Sequence, residues 1–299
     1  KYYPKEAREW VNTLKNEIFS YIRKFGVPSF IIFFFTEKNQ QRYDSLNQLL
    51  MSSLGIPSQF ILADSIFNRR MGVDDEMTNI AFQLTAKTGG IPYYVPLPLR
   101  RTLIIGVTSF VNETENSNQI SVCLSASIDQ TCARFYSDTF LLNSNEFIPD
   151  NIIARFVKNA KEKFKDMVRE IPTGLIVYRL LNKNQKNFAD ELLKISKSEL
   201  PSFKEAFNLQ CDFEKGIPIR HPKSFVFIAV QESSTIRLFT HNDDKVENPR
   251  PGTIVFDPAS GLADFYLVSN CISFGSVMPV RYIILKDSPM KVWKDEQIA

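Results

Sequence analysis

The stretch GLIVYRLL, Gly174 to Leu181, reads as a strand buried on both faces, because its apolar run has strand length and no alternation. At the open end of such a strand a sheet enzyme usually carries a carboxylate or a nucleophile. This one ends in Leu180-Leu181. Upstream, Ile153, Phe156, Ala160, Phe164 and Met167 recur every three or four residues, which predicts a long amphipathic helix closed before Pro172. Lys158, Lys161, Lys163 and Lys165 fall among its polar positions and read as a solvated face. Further upstream, TLIIGVTSF (Thr102 to Phe110), ISVCLSASI (Ile120 to Ile128) and ARFYSDTFLL (Ala133 to Leu142) have almost nothing helical between them, which predicts an antiparallel meander. A helix through FADELLKI follows GLIVYRLL, and later strands are read in SFVFIAV, TIRLFT, GTIVF, DFYLVS and RYIILK.

Three antiparallel strands, a crossover helix and a parallel strand are the order of an RNase H-like fold. The N-terminal third is built differently. VPSFIIFFF from Val27 and QFILA from Gln59 are apolar runs of strand length, separated by a helix-forming stretch from about Asn39 to Leu54. A second helical period runs from Asp74 to Lys87 and stops at Gly89-Gly90. Strands separated by helices imply parallel pairing, hence a small α/β layer. The expected fold class is therefore α/β, with a boundary near Tyr93 to Arg101, where prolines interrupt both patterns.

At 299 residues the chain can bury a sizeable core, and 44% hydrophobic with 23% charged residues is a globular composition. A net charge of +3 permits a nucleic-acid ligand without requiring one. Cys123, Cys132, Cys211 and Cys271 form no close pair, and with only His221 and His241 beside them no zinc signature exists. Reduced thiols fit an intracellular protein, and cytoplasm and nucleus stay open. No apolar run spans a bilayer, so a soluble protein with no membrane partner is expected.

Several blocks together resemble the MID and PIWI domains of Argonaute/Piwi proteins over essentially the whole chain. They are GIPSQFI (Gly55 to Ile61), NIAFQLTAKTGG (Asn79 to Gly90), LIVYR, NPRPGTIVFD (Asn248 to Asp257), DFYLVS and GSVMPVRY (Gly275 to Tyr282). Gln83 and GSV lean towards the Piwi branch. The resemblance implies a MID-like parallel α/β layer over residues 1–94 and an RNase H-like PIWI domain over 95–299. It also implies a fragment lacking N-terminal domains and the extreme C-terminus.

In that family a Tyr, a Lys one turn later, a Gln on the short strand and a Lys before the Gly-Gly turn hold the 5′ phosphate of a guide RNA. Tyr43, Gln59 and Lys87 match, Gln83 joins them, and Asn47 stands where the first Lys is expected. Tyr43 and Asn47 lie four apart on one helix face, and Lys87 can neutralise a dianion. The resemblance further implies Mg²⁺ at the guide's 5′ phosphate, held partly by a Gln and by the chain's terminal carboxylate. The structural alternative is an ordinary surface Tyr, a polar Gln and a cation favoured at a helix C-terminus.

RNA cleavage by this family needs clustered carboxylates binding two divalent ions. The first Asp is expected after Gly106-Val107, where Thr108 stands, and the second after Tyr178-Arg179, where Leu180 stands. Asn151 falls at the third, with Glu146 or Asp150 as candidates if the loop is shifted. Leu has no lone pair and Thr is a poor divalent ligand, so no catalytic metal is expected. Asp129 and Asp138 read as turn and surface acids. Glu232 occupies a place that is basic in the family, while Arg237 is the expected guide-backbone contact, with Lys223 and Arg281 as weaker candidates. Three functions compete. The first is a catalytically inactive protein that binds a small-RNA guide and target and silences through protein partners. The second is a Piwi-fold scaffold without RNA, and the third is a slicer with relocated carboxylates.

Overall fold

The computed structural model describes residues 5–63, 73–91, 99–111, 119–143, 147–181, 188–209, 224–232, 236–242, 245–257, 264–269 and 276–285. Glu146, Lys223, Cys211, Cys271 and His221 lie outside them. The chain divides into two compact units, Lys1–Tyr94 and Val95–Ala299.

In the first unit, helix α1 (Lys5–Phe25) is followed by β1 (Ile31–Phe35), α2 (Gln40–Asn47), a π-helical turn (Gln48–Leu54), β2 (Ser58–Leu62) and α3 (Val73–Lys87). β1 and β2 pair in parallel, as strands separated by helices must, with Phe33 opposite Phe60. Those two rings stack at 5.3 Å. Ile18 of α1 with Leu49 and Leu50 of the π-helical turn make the small core behind them, joined by Leu14, Ile22, Ile31, Phe33, Leu54 and Phe60. Asn39 caps α2 by accepting from the Arg42 backbone N–H at 3.0 Å. α3 closes as the sequence predicts. Gly89 takes a left-handed φ of +87°, and a side chain on Gly90 would meet the Thr85 methyl at 2.7 Å.

The second unit is organised by one eight-stranded sheet. Its strands in chain order are β3 (Thr102–Val111), β4 (Gln119–Ser127), β5 (Phe135–Asn143), β6 (Gly174–Leu180), β7 (Ser224–Gln231), β10 (Ile254–Phe256), β11 (Asp264–Leu267) and β12 (Val280–Ile284). A separate hairpin holds β8 (Thr240–Asn242) and β9 (Lys245–Glu247). The spatial order is β10-β11-β12-β7-β6-β3-β4-β5. β3, β4 and β5 form the expected antiparallel meander, and β6 runs parallel to both β3 and β7. Gly174 begins β6 between Thr102 and Ser224. A Cβ there would lie 2.8 Å and 2.7 Å from their hydroxyls, so a side chain at this point would have to push both aside.

Helices α4 (Asp150–Val168), α5 (Phe188–Lys197) and α6 (Glu199–Leu209) contribute to the core on one sheet face. Leu103, Ile105 and Val107 of β3, Leu175 and Val177 of β6, and Phe225 and Phe227 of β7 meet Ile153, Phe156, Phe164, Phe203 and Phe207 of the helices. Successive strand residues point to opposite faces, so Gly106, Thr108, Tyr178 and Leu180 leave the sheet on the other side.

Two expectations are corrected. TIRLFT is not a strand over its described residues: 236–239 carry no ladder, and Thr240 belongs to β8. Lys161 does not lie on a solvated face. It is 7% exposed, donates to the Phe207 carbonyl at 3.0 Å and sits over the Phe207 ring. It shares the buried stripe of Val157 and Phe164, four and three residues away, and its ammonium closes the C-terminal end of α6.

Candidate nucleic-acid interface

Two places hold the residues singled out by the sequence. In the first unit, β2 and α3 bring Gln59, Gln83 and Lys87 into one hydrogen-bonded chain. Lys87 Nζ donates to the Ser58 carbonyl at 2.7 Å and to Gln59 Oε1 at 2.8 Å. Gln59 Nε2 donates to Gln83 Oε1 at 2.8 Å and to the Phe60 carbonyl at 3.3 Å. Gln83 and Lys87 can both reach β2 because they are four apart, on one face of α3. Burial pushes the Lys87 ammonium below its ordinary pKa. Two of its three N–H donors are used within the chain.

Tyr43 stands apart from this trio. Its ring packs edge-on against Phe60 at 4.8 Å, and Phe60 leaves β2 on the face opposite Gln59. A pocket of about 230 Å³ opens there, walled by Phe35, Tyr43, Phe60 and Leu62 and rimmed by Glu37 and Asn39. Asn47 ends α2 one turn beyond Tyr43 and makes no side-chain cap to the π-helical turn.

In the second unit, Thr108 and Leu180 line a common cleft of about 560 Å³ on the sheet face away from the helices. Tyr178, Ile228, Val230, Phe265, Leu267 and Tyr282 supply its apolar and aromatic wall, and Cys123 and Ser125 its small polar floor. Among the described residues, none that lines it carries a carboxylate or an imidazole. Thr108 Oγ1 is buried and has no hydrogen-bond partner. Burial also raises the Tyr178 and Tyr282 phenols, which therefore stay neutral.

The remaining candidates lie elsewhere. Asn151 is not in a loop before the helix; it is exposed in the first turn of α4. Asp150 opens that helix and accepts from Ser202 Oγ of α6 at 2.5 Å. Asp129 binds Thr131 and the Ala133 N–H within the β4–β5 turn, and Asp138 accepts from the next backbone N–H, so both serve local geometry. Arg281 forks onto Asp264 and lies over the Tyr266 ring, and the hydrogen bond to Asp264 raises its pKa. Arg237 is exposed and donates to the Ile236 carbonyl at 3.1 Å. Glu232 follows β7 directly, and its charge helps raise the Tyr282 phenol pKa after burial. Among the described residues no group of three or more His, Cys, Asp or Glu could hold a metal ion. No described helix is long and apolar enough to cross a membrane.

Sequence reasoning missed the partner of Arg179. This guanidinium is buried, pairs with Glu199 of α6 at 3.0 Å and donates to the Leu180 carbonyl at 2.8 Å and Ser109 Oγ at 3.4 Å. An Arg inside an otherwise apolar strand was the available signal, since such a charge is rarely buried unpaired.

The mixed α/β fold is that of solved Argonaute and Piwi structures. Drosophila Piwi matches 97% of this chain with 36% of its own, at a TM-score of 0.65 and 23% identity. Kluyveromyces polysporus Argonaute, solved with a guide RNA, matches 92% with 32% of its own, at a TM-score of 0.71 and 17% identity. The chain belongs to the Piwi domain family, which matches residues 30–298. Protein argonaute-3 of Drosophila melanogaster is 26% identical over 253 residues, covering 84% of this chain and 27% of that protein. Piwi-like protein 1 of Danio rerio is 26% identical over 253 residues, 83% of this chain and 28% of that protein. The chain thus spans under a third of the length of these relatives and is related to both branches.

Proposed function

We propose that this chain is the guide-binding part of a catalytically inactive Piwi-family protein that acts in RNA-guided silencing through a small guide RNA, a target RNA and protein partners. In this reading the first unit is a MID-like domain and the second an RNase H-like PIWI domain. The strand order of the meander, α4 and the parallel β6 supports the latter assignment. The observation that carries the reading is the bonded chain Gln59–Gln83–Lys87, which places a cation and amide donors at one end of β2. That end suits a 5′ phosphate, while the Tyr43 ring against Phe60, on the opposite face of β2, offers a separate surface on which a base could stack. The cleft at Thr108 and Leu180 supports inactivity, because two-metal hydrolysis needs anionic ligands and none stands among its described lining residues.

A scaffold without RNA is the competing reading. It is favoured by the two internal bonds that already engage the Lys87 ammonium and by Asn47 where a second cation would stand. Binding of 5′-phosphorylated and 5′-hydroxyl single-stranded RNA to the full-length protein separates the two. Guide binding predicts a preference of roughly ten-fold or more for the phosphate, since a charge-assisted hydrogen bond contributes about 1.5–3 kcal/mol. Equal affinities, unchanged in Lys87→Ala, would leave the scaffold.

A further inference from the structure

We propose that the outer edge of β5 docks an extended segment of a partner protein as a further strand of the sheet. Acidic side chains of that segment, four positions apart, would meet Lys163 and Arg155 of α4. The inference goes beyond the guide-binding reading and does not depend on it.

β5 stands at one end of the eight-stranded sheet, paired with β4 along its nine residues. In an antiparallel ladder alternate residues direct both backbone groups away from the paired neighbour, so the other edge presents a row of N–H and C=O groups. Among the described residues no strand pairs with that edge. Sheet proteins blunt such an edge with proline, lysine or a very short strand, and FYSDTFLLN uses none of these. Tyr136 stacks on Phe156 of the helical layer, so Phe135 and Leu141 leave the strand on the other face, where they are 57% and 64% exposed.

On the helical face a row of exposed cations runs beside the strand. Arg155 lies over the Phe140 ring at 5.4 Å and Lys163 over the Tyr136 ring at 5.2 Å. Arg134, just before the strand, donates to Met167 Sδ at 3.3 Å, and Asn159 donates to the Tyr136 hydroxyl at 3.3 Å. The contacts keep one rhythm, in which two residues of β5 match four of α4. Four strand residues advance about 13 Å and eight helix residues about 12 Å, so the two elements stay in step. Among the described residues, none of the three cations is paired with a carboxylate. A ring covers only one side of a cation and leaves the other for an anion.

An added strand would alternate its side chains as β5 does. On the helical face its residues fall beside Tyr136, Asp138 and Phe140. Acids beside Tyr136 and Phe140 reach Lys163 and Arg155, whereas an acid between them would face the Asp138 carboxylate. The matching segment therefore reads acid, three residues, acid, with apolar residues at the alternate positions to cover Phe135 and Leu141. A nucleic acid fits less well. Its sugar-phosphate chain cannot complete a backbone ladder, and Asp138 interrupts the row of cations.

The probe is a fluorescein-labelled peptide, Thr-Val-Glu-Val-Thr-Val-Glu-Val-Thr, titrated onto the full-length protein. It should bind roughly five-fold or more tightly than the same peptide with Gln at both Glu positions, as two partly exposed ion pairs allow. An isomer with its acids two apart should also bind less well. Hydrogen exchange should slow at alternate amides of β5 when the peptide binds. In the double variant Arg155→Glu with Lys163→Glu the order should reverse, a peptide with Lys at both Glu positions binding better than the parent. That reversal reports the ion pairs and shows that the variant is folded. Equal affinity for the Glu and Gln peptides, or unchanged exchange in β5, would overturn the inference. So would β5 amides that already exchange slowly in the full-length protein alone, since the edge would then be covered by the protein itself. A small RNA that slows the same amides and displaces the peptide would assign the cations to nucleic acid instead.

Discussion

Tyr178 and Arg179 are neighbours in β6 and leave it on opposite faces. Tyr178 lines the open cleft, while Arg179 is buried against Glu199 of α6. The pair therefore belongs to two environments at once, and the guanidinium, 6% exposed, ties the central strand to the helical layer.

Removing one partner of that buried pair should be far worse than removing both. Arg179→Met leaves the Glu199 carboxylate uncompensated at 3% exposure, and a loss of about 3–5 kcal/mol in chemical denaturation is expected. The double variant Arg179→Met with Glu199→Leu should recover most of it. A double variant as unstable as the single one would show that the bonds to Ser109 and Leu180 O matter more.

The cleft should favour further loss of polarity over its return. Thr108→Val removes a buried hydroxyl that has no partner, so stability should hold or rise by up to about 1–3 kcal/mol. Thr108→Asp combined with Leu180→Asp should lower stability, because two carboxylates enter an apolar wall. The same double variant should not cut a matched, labelled target in Mg²⁺ or Mn²⁺, since supporting groups are also needed. Cleavage opposite the middle of the guide by the unaltered protein would revive a relocated acidic site, with Glu146 and Asp150 the first residues to change.

Lys87 makes the phosphate preference depend on pH. Its folded pKa lies below the unfolded one, so across that interval the unfolded chain holds more protons and apo stability rises with pH. An anion acts the other way, favouring the charged form, so binding takes up a proton in the same interval. The 5′-phosphate preference should be full near neutrality and fall as pH rises towards the ordinary lysine range. The 5′-hydroxyl affinity should change much less, and a preference flat across that range would separate it from Lys87.

Lys161→Met keeps the buried stem and deletes the bond to the Phe207 carbonyl. A loss of about 1–3 kcal/mol is expected, as for a buried acceptor left without its donor. Lys158→Met, on the exposed side of α4 and paired with Glu162 at 4.0 Å, should change stability by less than about 0.5 kcal/mol.

Strongly periodic elements were legible in the sequence: the meander, α4, β6 and α3 lie where spacing and glycines predict them. The misreadings have physical causes. TIRLFT alternates as a strand should, yet a strand exists only where a neighbour completes its ladder, which no single sequence segment specifies. α6 has no counterpart among the elements read from the sequence; it carries Pro201 in its first turn, where proline is tolerated. The residue type alone puts Lys161 at the surface, whereas its place beside Val157 and Phe164 sets its burial. In the candidate site, the four-residue step from Gln83 to Lys87 was visible. That both would meet Gln59 depended on how α3 lies against β2, and this belongs to packing.

The bonds that hold Lys87 have a consequence for the timing of recognition. A free lysine side chain explores many rotamers, and freezing it on contact with a ligand forfeits about 2 kcal/mol of entropy. Here that freedom is surrendered when the domain folds, since the ammonium is already fixed at 2.7 Å and 2.8 Å by two oxygens. A ligand arriving at this end of β2 meets a surface whose shape is set beforehand, so selection falls on how well the ligand fits and little adjustment follows contact.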